Sequence, residues 1–163
     1  MTRNIALNAM ALGICVVLPG AAVAQTAKDL VGTWTMASNV NISPDGKKTD
    51  VFGAHGTGLA IFESNGHFAI VNINPDTAKF ASNSRAKGTP EENKAYTLGG
   101  IGLYGTYSVA NKEISMKVEG STYPNWTGTD QKRAVKSFAK DQFTWSLAAS
   151  IGGTSEVTWK RLK

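Results

Sequence analysis

Beyond residue 30, apolar and polar side chains alternate along most of the chain. Trp34, Met36 and Val40 alternate with Thr33, Thr35 and Asn39. A period of two predicts a strand with one buried face. Ile114, Met116 and Val118 alternate in the same way with Ser115, Lys117 and Glu119. Phe143, Trp145 and Leu147 share one parity, as do Val157, Trp159 and Arg161. Strands are expected from about residue 32 and over 58–63, 67–73, 102–109, 113–120, 132–138, 142–147 and 155–161. The connections are short and rich in turn formers: Ser43-Pro44-Asp45-Gly46, Ser64-Asn65-Gly66, Ala110-Asn111-Lys112, Ala139-Lys140-Asp141 and Gly152-Gly153. Eight or nine short strands joined by hairpins predict an all-β chain, either an antiparallel barrel or a sandwich.

Two stretches interrupt the meander. Residues 74–95 are polar, and within them Thr89-Pro90-Glu91-Glu92 predicts a helix start. Thr89 serves as N-cap, proline suits the first helical position, and Glu92 completes a capping box. One short helix should run to about Tyr96 and end at Gly99-Gly100. Residues 120–128 are too rich in turn formers for a strand. No repeat, low-complexity tract or domain linker is visible.

The first 24 residues follow a different pattern. Arg3 precedes an uncharged apolar run over residues 5–18, then Pro19-Gly20, then Ala22-Val23-Ala24 before Gln25. This predicts a secretory signal peptide over 1–24, cleaved after Ala24, and a periplasmic or secreted mature protein. The rival reading, a membrane anchor, needs roughly 18–20 apolar residues, so no stable membrane insertion is expected after cleavage. Ile14 before Cys15 departs from a lipidation signal, which calls for a small residue. Cleavage leaves 139 residues without cysteine. That is one domain of useful core size, stabilised by packing rather than disulfides. The net charge of +5 falls to +4, and its lysines and arginines are spread without a stripe. Nucleic acid is therefore not an expected partner.

Arg161 shares the inward parity of Val157 and Trp159. An inward guanidinium needs an aromatic face or acceptors. Gly32-Thr33-Trp34 with Arg161 resembles the signature of lipocalin barrels, and that resemblance implies that Arg161 lies over Trp34 and closes one barrel end. A longer run narrows it: Gly105-Thr106-Tyr107-Ser108-Val109, Glu119-Gly120-Ser121-Thr122-Tyr123-Pro124-Asn125-Trp126, then Gly128, Asp130, Gln131 and Arg133. With Thr89-Pro90-Glu91-Glu92-Asn93 and Trp159-Lys160-Arg161, it is similar to the bacterial lipocalin-like domain family over about residues 28–163. The resemblance implies an antiparallel lipocalin-like β-barrel and assigns no general activity. Some members carry a histidine in the strand before the Ser-Thr-Tyr-Pro segment; Met116 and Lys117 stand there instead.

Candidate chemistry is sparse. His55 and His67 are the only histidines, and neither has a carboxylate at ligand spacing in sequence, so no metal and no cofactor are expected. No cysteine nucleophile survives cleavage, no Gly-x-Ser-x-Gly elbow exists, and the glycine-rich 52–58 segment, lacking the P-loop lysine, reads as a flexible rim loop. Glu91 and Glu92 are explained by capping. Recognition residues are sought in the irregular stretches and on the inner wall: Arg85, Tyr107, Met116, Tyr123, Trp126 and Arg133. Packing is the competing role for Trp126, and pairing with Asp130 for Arg133. Trp34, Met36, Leu103, Tyr107, Met116, Trp145 and Trp159 would line an aromatic, soft-walled interior suited to a small, largely apolar ligand. The leading reading is thus a non-catalytic, exported binding protein, expected to be monomeric. The alternatives are an isomerase or cyclase using Tyr107, His55 or Arg133, and an inhibitor-like module using the loop around Trp126.

Overall fold

The computed structural model describes residues 26–163. The expected signal peptide and its cleavage site lie outside the described residues. Nine strands follow one another: β1 (Gly32–Ile42), β2 (Lys48–Asp50), β3 (Thr57–Phe62), β4 (His67–Ile73), β5 (Gly100–Ala110), β6 (Glu113–Ser121), β7 (Asp130–Ala139), β8 (Gln142–Ala148) and β9 (Thr154–Arg161). Each strand from β3 onward pairs antiparallel with the next, and β1 pairs with both β3 and β9. Eight strands therefore close into a lipocalin-like barrel, and β2 is an extra strand on the edge of β1. The hairpins have the turn chemistry their sequences require. Asn111 and Lys112 both adopt positive φ, and Gly66 takes φ +87°.

Two elements were not legible in the alternation. Strand β2 has no buried residue, so it carries no period-two signal. Helix α1 (Ala27–Leu30) is a single turn whose Leu30 is fully buried. Helix α2 (Pro90–Leu98) forms where the capping box places it, with Glu92 N–H donating to Thr89 Oγ1 at 3.3 Å and Thr89 N–H donating to Glu92 at 2.8 Å. Glu92 also accepts from the Ala81 N–H, which ties the preceding loop to the helix. Those two backbone donors, Ala81 first, hold its carboxyl below the usual range. Since α2 buries none of its residues, capping carries much of its stability. Thr89→Ala should weaken α2 by about 1 kcal/mol, or roughly fivefold faster amide exchange over the helix with the barrel unchanged.

One departure from simple alternation matters for the site. A bulge at Ala37 interrupts the β1–β9 ladder between Met36 and Ser38. The extra residue reverses the parity of the rest of β1. Val40, expected to face inward, instead lies in register with Asp50 and Glu156. Asn39 and Asn41 take the inner positions, opposite the buried Val157 and Ser155.

The barrel end near Gly32 is closed by α1 and the chain terminus. Trp34 Nε1 donates to the Leu30 carbonyl at 2.8 Å. The Arg161 guanidinium lies 4.0 Å from the Trp34 ring centroid and donates to the carbonyls of Val31, Asp29 and Lys140 at 2.8, 2.9 and 3.0 Å. Gly32 is required here: its φ is +128°, and a Cβ would stand 2.8 Å from Arg161 Nη1. Above this closure Trp34, Phe143, Trp145 and Trp159 form a chain of edge-to-face contacts at 4.6, 5.3 and 5.6 Å. Ile114, Met116 and Val118 are fully buried in the same core. This half of the barrel is therefore filled by its own side chains.

Candidate functional site

The space that remains lies toward the opposite mouth. A cavity of about 60 Å³ is bounded by Trp145 and Trp159, by Ile70 and Leu103 on the wall, and by Phe52 and Trp126. Phe52 is buried, so the segment read as a flexible rim loop contributes an anchored plug. A wider cleft of about 180 Å³ adjoins the cavity, shares Val51, Phe52, Ile101, Ser150 and Ile151 with it, and extends to Leu98, Tyr123 and Pro124. By volume the inner cavity admits a head group or a few waters, not a drug-sized molecule.

Polar side chains concentrate in that inner cavity. Asn39 and Asn72 point in from β1 and β4, Arg133 from β7, and Ser155 from β9. Asn72 faces Gly58 across the ladder, and a Cβ on Gly58 would collide with the Asn72 amide oxygen. Arg133 is only 2% exposed. Among the described residues its guanidinium makes one hydrogen bond, to the Lys132 carbonyl at 3.2 Å, and has no carboxylate within 4.0 Å. Its carbon lies 5.7 Å from the Trp126 ring centroid. Burial pushes the guanidinium down to about 10, still fully charged at neutral pH. Among the described residues, the side-chain oxygens of Asn39, Asn41 and Asn72 and the indole N–H groups of Trp145 and Trp159 are buried without partners.

Of the residues proposed for recognition from the sequence, Trp126 and Arg133 line this cavity and Tyr123 lines the adjoining cleft. Trp126 sits on a single 3₁₀ turn, packed edge-to-face against Tyr123 at 5.6 Å. Tyr107 and Met116 do not line the cavity. Tyr107 donates to the Glu63 carbonyl at 3.1 Å, and burial, then the Glu63 charge, pushes its phenol up. Met116 is fully buried in the packed half. Arg85 stands on an exposed turn, 5.7 Å from the Tyr96 ring centroid and outside the cavity. Arg133 sits on an inward strand position and does not bridge to Asp130, so the loop-pinning role weighed for it is absent. Sequence reasoning missed Asn39, Asn72 and Phe52. Asn39 was hidden by the bulge, while the period of β4 alone places Asn72 inward with Phe68 and Ile70.

His55 meets Asp76 at 2.8 Å, a contact between two rim loops that spacing alone did not reveal. Among the described residues no three His, Cys, Asp or Glu side chains are grouped to hold a metal.

Residues 31–162 match a family described as a lipocalin-like domain. No curated protein matches the sequence. Similar solved structures include a redesigned β-barrel at 16% identity and TM-score 0.46, covering 84% of this chain and 95% of that one. Another, a redesigned β-barrel bound to DFHBI, has 22% identity and TM-score 0.43, with 83% and 97% covered. A de novo fluorescence-activating β-barrel has 15% identity and TM-score 0.41, with 83% and 96% covered.

Proposed function

The chain belongs to the lipocalin-like domain family, and from that premise we propose that it is an exported protein that binds a small, largely apolar molecule at the open mouth of its barrel. The observation that carries this reading is the division of the interior. One half is packed and sealed by Arg161, while the other leaves an aromatic-walled cavity that continues into an apolar cleft. A rigid scaffold with a concave, mostly apolar opening and few polar groups is the usual form of a small-molecule site. The periplasmic or secreted localisation, and a bacterial source, rest on the first 24 residues and the sequence resemblance.

The catalytic alternative draws less support. Of the three groups it would use, Tyr107 is engaged at the closed end, and His55 is exposed and paired with Asp76. Only Arg133 faces the cavity, and a guanidinium is a poor proton carrier near neutral pH. The protein-binding alternative needs Trp126 displayed, whereas it is half-buried beside Arg133.

A neutral apolar dye such as Nile red should brighten on binding the purified protein, and Trp126→Ala should weaken that binding about tenfold by removing one wall of the mouth. No dye response from the folded wild type would refute the reading. Native mass spectrometry of protein recovered from the exported fraction of its own host should show a mass starting at Gln25 and a retained small molecule.

A further inference from the structure

We infer that the molecule bound at the barrel mouth is an amphipathic organic anion, its carboxylate held inside by Arg133 and its apolar body lying in the outer cleft. The inference rests on the small-molecule reading above and names the ligand's chemical class.

The two inward arginines make the case by contrast. Arg161 spends its donors on three backbone carbonyls and its face on Trp34, so it is satisfied by the fold. Arg133 is buried more deeply yet has one peptide carbonyl and no counter-ion among the described residues. A guanidinium offers five N–H donors in a planar fork that fits a carboxylate. Ordered water could satisfy amides and indoles, but water brings no charge to match a buried cation. The neighbouring groups point the same way. The Trp145 and Trp159 N–H groups are donors without acceptors among the described residues. The side-chain oxygens of Asn39 and Asn72 are buried, that of Asn72 against Gly58, so they set no exposed acceptor against an anion in the cavity.

Space sets the polarity of binding. The inner cavity of about 60 Å³ suits a carboxylate, while the cleft of about 180 Å³ beside Leu98, Ile101, Tyr123 and Ile151 suits a short hydrocarbon or aryl body. The ligand therefore enters head first, the reverse of a carrier that buries an apolar tail and leaves its head in water.

The test is tryptophan fluorescence titration with sodium octanoate, 1-octanol and octylamine, because Trp126, Trp145 and Trp159 all border the site. Octanoate should bind about tenfold tighter than octanol or better, and octylamine weakest. Arg133→Met should bring octanoate down to the octanol affinity while octanol changes less than about twofold, and Arg133→Lys should retain part of the preference. Equal binding of octanoate and octanol to the wild type, which needs no variant to fold, would overturn the anionic head and leave the small-molecule reading standing. An octanoate preference that survives in Arg133→Met would overturn it as well. If none of the three probes nor Nile red binds, both readings fall together.

Discussion

Trp34→Ala is expected to lower the unfolding free energy by about 3–5 kcal/mol, the cost of deleting a large buried aromatic and leaving a cavity. Trp34 has no exposed surface, meets Phe143 edge-to-face at 4.6 Å and donates its indole N–H to the Leu30 carbonyl. The same substitution removes the face on which Arg161 rests, 4.0 Å from the ring centroid. Arg161→Ala should cost about 1–3 kcal/mol through lost packing and three carbonyls left without their donor. Its contact with Asp141, at 3.9 Å and partly exposed, adds little. A cation on an aromatic face contributes about 0.5–2 kcal/mol, so the two losses should be coupled. Urea unfolding of the two single variants and the double variant should show about 0.5–2 kcal/mol of interaction energy. Strictly additive losses would mean that the Trp34–Arg161 contact contributes nothing to closure. Gly32→Ala should disturb the same end, since it forces a side chain onto a positive-φ residue and into the guanidinium.

Arg133→Met is expected to act in the opposite direction and stabilise the unliganded protein by about 1–3 kcal/mol. The fall of the Arg133 pKa from its ordinary value to about 10 corresponds to roughly 3 kcal/mol by which burial disfavours its charged form. Part of that is returned when the contact with Trp126 and the packing of the aliphatic stem are replaced by methionine. The sign follows from proton linkage. A base whose folded-state pKa lies below its unfolded value binds fewer protons when folded, so stability rises with pH only from about 10 up to the ordinary guanidinium range. Below that window the penalty is present in full. The gain from Arg133→Met should therefore be the same at pH 6 and pH 9, measured by urea unfolding. It should be accompanied by loss of the octanoate preference. A variant more stable than wild type yet deficient in binding is the expected mark of a residue kept for its ligand at a cost to the fold. A Met variant clearly less stable than wild type would instead assign Arg133 to packing.

Much of the architecture could be read from the chain because its causes are local. The period of two from Trp34 to Met36 and from Ile114 to Val118 states which side chains share a face. Asn65-Gly66 and Gly152-Gly153 state where the chain can reverse, since a turn needs only a few residues with the right φ. The Thr89 capping box likewise contains its own partners. The all-β barrel and its exposed helix follow from such signals.

The site does not, because its causes are not local. A bulge at Ala37 is set by how β1 meets β9, about 120 residues away in sequence, and nothing near Ala37 announces it. That single inserted residue turns Asn39 and Asn41 inward and Val40 outward. Nor could the sequence distinguish its two inward arginines. Arg161 is satisfied by carbonyls that α1 and the Lys140 turn deliver across the closed end, while among the described residues no counter-ion reaches Arg133. Met116 and Tyr107 share the inward parity of the wall, yet they lie where the barrel is filled and not where it is open. Alternation decides which face a residue takes; only the packed barrel decides the depth at which it sits and what remains unpaired beside it.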